Sequence, residues 1–431
     1  MDHLVIGFAG LTHLGVNSLA AAAERGFHVL GFDENPETVD AVSNGKVDIN
    51  EDGLIDLLEK NNDKISFSSD PTDLRNCDII YISIDVPTDE NANSNLDPIE
   101  SIIHLVLKTV LEDTLIVVLC QVPPGFTRLV QQRHSNTYYQ VETLIFGRAV
   151  ERATHPERFI IGCADPRTVD SRLLHHLEAY DCPILPMRFE SAELCKTAIN
   201  LFLAASVSTA NTLADTCERI GADWSEIIPS LRLDRRIGQY AYIETGLGLS
   251  GGNIERDLRT VQSLGIKHGA YTAVVESYMS HSSYRKNWLV EQFESYAGEL
   301  NSPKIGVLGL SYKKNTHSIK NSPSVAFLEN ILRQGVQGSD IKVYDPVVKS
   351  LPELLDVVFC KDAYQASTNV DVLFINTAWD EFRSLDVWQL VKTIRSSIVV
   401  DPFNLCDQKL PKHIKHVILG RPLSKYLSQS L

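Results

Sequence analysis

The sequence predicts an α/β protein: two Rossmann-like, doubly wound parallel-sheet domains joined by a long central helix and a helical middle domain. Three observations carry that prediction. Apolar runs alternate with helical stretches through the first third, residues 191–220 contain neither Pro nor Gly, and the alternation restarts near residue 301. The expected domains are 1–190, 191–300 and 301–431.

Residues 3–9 (HLVIGFA) form a continuous apolar run, as a strand buried on both faces should. Ala-rich residues 15–25 read as a helix and 27–33 (FHVLGFD) as the next strand, with further strands at 78–84 and 115–119. Residues 191–220 read as one long Ala/Leu-rich helix with Ser191 as its N-cap. Such a spine suits a dimer surface or a buried connection within one subunit. Residues 304–310 (KIGVLGL) open the second α/β lobe, followed by a helix at 324–334 and strands at 341–345 and 370–377.

A chain of 431 residues is too long for a single core. Its 55 acidic against 40 basic residues give a net charge of −15, which argues against nucleic acid or an anionic membrane surface as partner. A small anionic ligand stays open, because helix N-termini and a few local cations can hold phosphate. The eight cysteines show no CxxC pair and read as reduced thiols, with no metal site expected. No basic leader precedes the first strand, and no apolar run approaches the roughly 20 residues of a membrane span. A cytoplasmic protein is expected.

The turn after the first strand reads Gly10-Leu11-Thr12-His13-Leu14-Gly15, a G-x-G-x-x-G fingerprint with Thr12 in place of the middle glycine. Gly10 would make the tight turn, and Gly15 would let the helix approach the strand. The Thr12 side chain must either turn aside or offer its hydroxyl to phosphate. Asp33 ends the second strand about 20 residues on, where a carboxylate accepts from ribose hydroxyls and repels a 2′-phosphate. NAD is therefore favoured over NADP; an α/β domain without dinucleotide binding is the alternative.

On the long helix Lys196 and Asn200 are spaced i, i+4 and share a face, with Glu193 a turn earlier. Together they could polarise a hydroxyl or hold a water, or they could simply be a solvated face. The stretch 245–257 (TGLGLSGGNIERD) carries Gly246, Gly248, Gly251 and Gly252, which would expose backbone N–H groups to a ligand; a flexible linker is the alternative.

At these motifs the chain resembles the UDP-glucose/GDP-mannose dehydrogenase family along essentially its whole length. Residues 192–200 (AELCKTAIN) are similar to the family's E-L-x-K-x-x-x-N helix, which implies an active site containing Lys196 and Asn200. Arg236-Ile237-Gly238 resembles the segment whose arginine reaches the neighbouring subunit's substrate, which implies a homodimer. Tyr312-Lys313-Lys314-Asn315-Thr316 with Ser322-Pro323 is similar to F-K-x-x-T…S-P, and 370–382 (VDVLFINTAWDEF) to the strand and T-x-W-x-E-F motif of the nucleotide-binding domain. The resemblance implies NAD held by Gly10, Thr12, Leu14, Gly15, Asp33, Pro87, Thr88 and Gln121. It implies a nucleotide sugar, a UDP-sugar by default, held by Arg236, Gly248, Gly251, Tyr312 and Lys313.

The family oxidises a sugar CH₂OH to a carboxylate in two hydride transfers through a thioester on cysteine, in a loop close to G-F-G-G-S-C-F-x-K-D. Residues 248–257 (GLSGGNIERD) align with that loop, with Asn253 at the cysteine and Asp257 retained. An amide cannot serve as such a nucleophile. The family's N-P-E-F-L-x-E-G is here 140–147 (QVETLIFG), keeping Glu142 but placing Phe146 at the second carboxylate. S-T-V-P is Cys120-Gln121-Val122-Pro123, and D-G-R is Asp401-Pro402-Phe403. Cys195 points away around the helix, and Cys120 is the only cysteine near the expected cofactor cleft.

Three readings follow. One is hydride transfer to NAD without a covalent intermediate, with Lys196, Asn200 and Asp257 positioning water or the hydroxyl. Another is the four-electron reaction through a hydrate, with Glu142 as base. The third is a non-catalytic nucleotide-sugar or NAD-binding protein.

Overall fold

The computed structural model describes residues 4–46, 51–87, 94–351, 354, 356–406 and 410–423. They form two compact units, Met1–Ile199 and Asn200–Leu431. The boundary falls inside one helix, Phe189–Ile220. Among the described residues no helix is long and apolar enough to cross a membrane.

The first unit is built on eight strands: β1 (Val5–Ala9), β2 (His28–Phe32), β3 (Ile65–Ser68), β4 (Ile79–Ile82), β5 (Leu115–Val118), β6 (Thr137–Gln140), β7 (Phe159–Cys163) and β8 (Ile184–Arg188). Their order is β3-β2-β1-β4-β5-β6-β7-β8. Period-2 alternation divides the strands between two cores, one on each face: Ile79, Tyr81 and Val117 on one, Ile80, Ile82, Ile116 and Val118 on the other. Each such side chain contributes about 1.5–3 kcal/mol by leaving water.

The sheet departs from the all-parallel expectation at one place, where β6 and β7 pair antiparallel with Tyr139 opposite Gly162. The short polar β6, TYYQ, gives no continuous apolar signal from which its partner's direction could be read. A Cβ on Gly162 would stand 3.0 Å from Ala192 Cβ and 3.2 Å from Phe189 Cα, so this glycine lets the long helix lie on the sheet. That helix starts at Phe189, directly after β8, rather than being capped at Ser191. The strand's last residue delivers the chain into the first turn, so Ser191 is already helical.

In the second unit six parallel strands, β9 (Ile305–Leu308), β10 (Ile341–Tyr344), β11 (Val358–Phe359), β12 (Val372–Ile375), β13 (Ile398–Val400) and β14 (Lys415–Val417), run in the order β11-β10-β9-β12-β13-β14. Helices Asn253–His268, Ala273–Lys286 and Trp288–Tyr296 accompany them. Buried Glu218, on the long helix, accepts from Arg285 Nη2 at 2.5 Å, Trp288 Nε1 at 3.0 Å and the Gly420 N–H at 2.8 Å.

The two sheets repeat one turn in detail. Gly10 N–H donates to Phe32 O and Gly309 N–H to Tyr344 O, both at 2.8 Å, with φ of 109° and 95°. Asp33 accepts the Leu11 N–H at 3.1 Å; Asp345 accepts the Leu310 N–H at 2.7 Å. Asp33 is half-buried. Asp345 is sealed in, its other acceptor sites taken by Ser311, Val347, Val348 and Trp379.

Candidate active site

The first turn stands at the point where β1 is flanked by β2 on one side and β4 on the other, so the connections after β1 and β4 diverge and leave a crevice. Helix α1 (His13–Glu24) begins there, packed so closely that a Cβ on Gly15 would lie 1.8 Å from Gly10 O. The Thr12 side chain turns aside. Its hydroxyl lies 3.2 Å from Ser83 O and 3.0 Å from the Asp85 N–H, and it makes no cap on α1. Asp33 Oδ1 accepts the Asn35 N–H at 3.0 Å, which leads into α2 (Pro36–Ser43). Leu11, Thr12, His13, Asn35, Thr38 and Asp85 line a cleft of about 550 Å³. A tight glycine turn, a helix start without its own side-chain cap and a half-buried strand-end carboxylate fit a dinucleotide. Pro87 accepts the Asn95 N–H at 2.9 Å; Thr88 lies outside the described residues. Gln121 is half-buried just beyond β5.

Lys196 and Glu142 meet in the first unit, Nζ to Oε2 at 3.2 Å, both largely shielded from water. The Leu144 N–H also donates to Glu142. Glu193, a turn before Lys196, is fully buried and does other work. It accepts the Gly125 N–H at 2.5 Å and the Thr127 N–H at 2.7 Å, at the start of helix Phe126–Arg133. Burial pushes its carboxyl above the usual range against those hydrogen bonds. Cys120 is buried and its thiol is pushed up to about 12, chiefly by burial, so it is held as an inert thiol.

In the second unit Asn200 donates its side-chain amide to Asp257 Oδ2, and Arg256 Nε approaches Asp257 Oδ1 at 3.2 Å; all three are buried. Asn253 is exposed and opens helix Asn253–His268, one turn ahead of Asp257. The glycines before it are fixed by backbone and packing. A Cβ on Gly248 (φ 82°) would meet Ser282 O at 2.6 Å, and one on Gly251 (φ 75°) would meet the Tyr312 ring at 2.9 Å. Lys313 Nζ lies 5.7 Å from the Tyr312 ring centroid. Arg236 is exposed and paired at 2.6 Å with Asp234.

Three residues of these surroundings escaped the sequence reading. Asn321 donates to Gly251 O at 3.2 Å and to Glu255 Oε2 at 2.9 Å, stapling the glycine loop to the segment after Tyr312. Glu51 accepts from the Gly147 N–H at 2.8 Å and the Ala149 N–H at 2.9 Å and pairs with His13 Nε2 at 2.8 Å. Asp85 donates its N–H to Thr12 Oγ1 at 3.0 Å. Its only sequence signal is a carboxylate three residues after a buried strand.

Comparison with known proteins bears on the whole chain. Residues 4–178 match the NAD binding domain of the UDP-glucose/GDP-mannose dehydrogenase family, 190–282 its central domain and 306–408 its UDP binding domain. The chain is 27% identical over 438 residues to UDP-glucose 6-dehydrogenase TuaD of Bacillus subtilis, covering 97% of this chain and 93% of that protein. It is 26% identical to UDP-glucose 6-dehydrogenase of Rickettsia typhi, covering 95% and 97%. Among solved structures, a UDP-glucose dehydrogenase from Pyrobaculum islandicum matches with a TM-score of 0.83 at 27% identity, over 98% of this chain and 99% of that one. The cofactor is NAD.

Proposed function

We propose, on the premise that this chain belongs to the UDP-glucose/GDP-mannose dehydrogenase family of NAD-dependent oxidoreductases, that it oxidises a UDP-sugar without forming a covalent thioester. The observation that carries this reading is Asn253, which opens its helix one turn before Asp257, at the position where the family's loop places cysteine. An amide nitrogen has no lone pair free for attack on an aldehyde.

When bound, NAD supplies the hydride acceptor. The Lys196 ammonium stabilises the alkoxide that develops as the substrate hydroxyl loses its proton, and Glu142, 3.2 Å from that ammonium, receives the proton. The C–H hydride leaves with its electron pair, and a carbonyl remains. With its amide hydrogen given to Asp257, Asn200 keeps its carbonyl oxygen to accept from a hydroxyl or a water. Tyr312, Lys313 and the glycines at 248 and 251 serve the UDP-sugar, and Arg236, exposed on its own subunit, serves the partner's substrate in a homodimer.

A second reading, favoured by the carboxylate at Glu142, continues to the acid: water adds to the aldehyde, and the gem-diol gives up a second hydride. Product mass and NADH stoichiometry with UDP-sugars decide. One NADH and a loss of two mass units support the first reading. Two NADH and a carboxylate support the second, and no turnover of any UDP-sugar removes both.

A further inference from the structure

A buried carboxylate holds the segment that carries Glu142. After β6 the Val141 N–H donates to Ile160 O at 3.0 Å, and the chain then leaves the sheet at Glu142. It turns at Gly147 (φ 82°), where the Arg148 N–H donates to Ile145 O at 2.8 Å, and enters the helix Ala149–Thr154. Arg148, at the N-cap of that helix, gives it no side-chain cap, and its guanidinium pairs with Glu151 instead.

The acceptor comes from Glu51, in the loop before the helix Leu54–Lys60, with a side chain 2% exposed. Its Oε1 accepts the Gly147 N–H at 2.8 Å, and its Oε2 accepts the Ala149 N–H at 2.9 Å. Oε1 also lies 2.8 Å from Nε2 of His13, the first residue of α1. Phe146 rests on the same imidazole, with ring centroids 4.4 Å apart and planes inclined at 31°. The sheet pins one end of the segment and Glu51 pins the other. Between them stands Glu142, its Oε2 3.2 Å from Lys196 Nζ.

We propose that Glu51 is a positioning residue for the oxidation. It holds residues 142–149 so that the Glu142 carboxylate stays within reach of Lys196, and through His13 it ties that segment to the first turn of α1. The proposal rests on Glu142 as the proton acceptor. Glu51 is buried and engaged by three donors, so it acts through Glu142 rather than on the substrate. Without it the Gly147 and Ala149 N–H groups lose their acceptor and must turn toward water, carrying the segment with them. A shift of about 1 Å in a reacting group costs on the order of 10²-fold in rate.

The first measurement needs no substrate: amide hydrogen exchange of full-length wild type, Glu51→Gln and Glu51→Ala, read by mass spectrometry. Exchange in peptides spanning 142–150 should rise by about tenfold or more in Glu51→Ala, and less in Glu51→Gln, which keeps one acceptor oxygen. Peptides from β1, β4 and β5 should keep their wild-type rates. Wild-type exchange in 142–150, or a rise across the whole sheet, overturns the proposal. Glu51→Gln preserves the side-chain size and guards against a folding failure of the smaller variant.

The second measurement is a double-mutant cycle with Glu142→Gln, using NAD and the UDP-sugar turned over fastest in a panel headed by UDP-glucose. In the wild-type background Glu51→Gln should lower kcat by about tenfold or more and leave KM for the UDP-sugar nearly unchanged. In the Glu142→Gln background the same change should cost less than about twofold, because the group it positions is gone. Equal losses in both backgrounds make Glu51 a purely structural residue and overturn the proposal, with Glu142 still the proton acceptor. A Glu142→Gln variant as fast as wild type, or no turnover of any sugar in the panel, overturns the proton-acceptor reading and this proposal with it.

Discussion

Lys196 Nζ and Glu142 Oε2 stand 3.2 Å apart, joining the long helix to the segment after β6 across 54 residues of sequence. Both groups are mostly withdrawn from water, so each fixes the position of the other more firmly than a surface pair would. Lys196→Ala should therefore lower kcat by about 10²–10⁴-fold. Glu142→Gln, which keeps a polar group at hydrogen-bond reach, should lower kcat with less effect on KM. Steady-state rates at saturating NAD measure both; a rise in KM alone in both variants would assign the pair to binding.

Asp257 is a counter-charge of buried Arg256 and accepts from Asn200. Asp257→Asn removes the charge while Arg256 stays in place. The expected loss is about 3–5 kcal/mol of stability, as when one partner of a buried pair is deleted. Urea denaturation measures it, and a loss below about 1 kcal/mol would mean that water already reaches the guanidinium.

Glu193 gives a pH prediction. Its carboxyl is raised in the folded state by burial, so the protonated form is the one the fold favours. Its contribution to stability is full below the unfolded value near 4.5 and is lost as pH rises through the higher folded value. Replacement by Gln keeps one acceptor and puts an NH₂ beside the second N–H donor, which costs stability at every pH. The penalty relative to wild type should be greatest near pH 4.5 and shrink as pH rises toward neutrality. Melting temperatures of both proteins across that window test this.

Gly251→Ala should destabilise twice over, since φ is 75° and the new methyl would press the Tyr312 ring at 2.9 Å. A cost of about 1–2 kcal/mol is expected, with a rise in KM for the UDP-sugar and little change in the Kd for NAD. An unchanged KM would detach Tyr312 from the substrate.

How far the sequence leads depends on whether a residue acts through its neighbours along the chain. Gly10, Gly15 and Asp33 serve a local turn between adjacent strands, and fixed spacing reveals them. The long helix was legible from 30 residues without Pro or Gly, although its true start was not, because β8 feeds straight into it. Glu142 with Lys196, Asn321 with Gly251 and Asp85 with Thr12 are partners 54, 70 and 73 residues apart, and no periodicity links them. Glu193 shows the opposite error. Helical spacing placed it beside Lys196, but the start of another helix, at Gly125 and Thr127, takes its carboxylate.

The sealed carboxylate of Asp345 has a consequence for how a doubled architecture divides its labour. The second sheet copies the first down to the glycine, the leucine N–H and the strand-end Asp, yet its strand-end carboxylate and its helix start are engaged from within. Asp345 is saturated, and Ser322 caps the helix Pro323–Arg333, accepting the Val325 N–H at 3.4 Å. Two copies of one turn in a single chain could otherwise compete for the same molecule. Internal saturation retires the second copy from that competition without dismantling its scaffold, and leaves the loop between Leu310 and Ser322, which has no counterpart in the first sheet, free to acquire a different ligand.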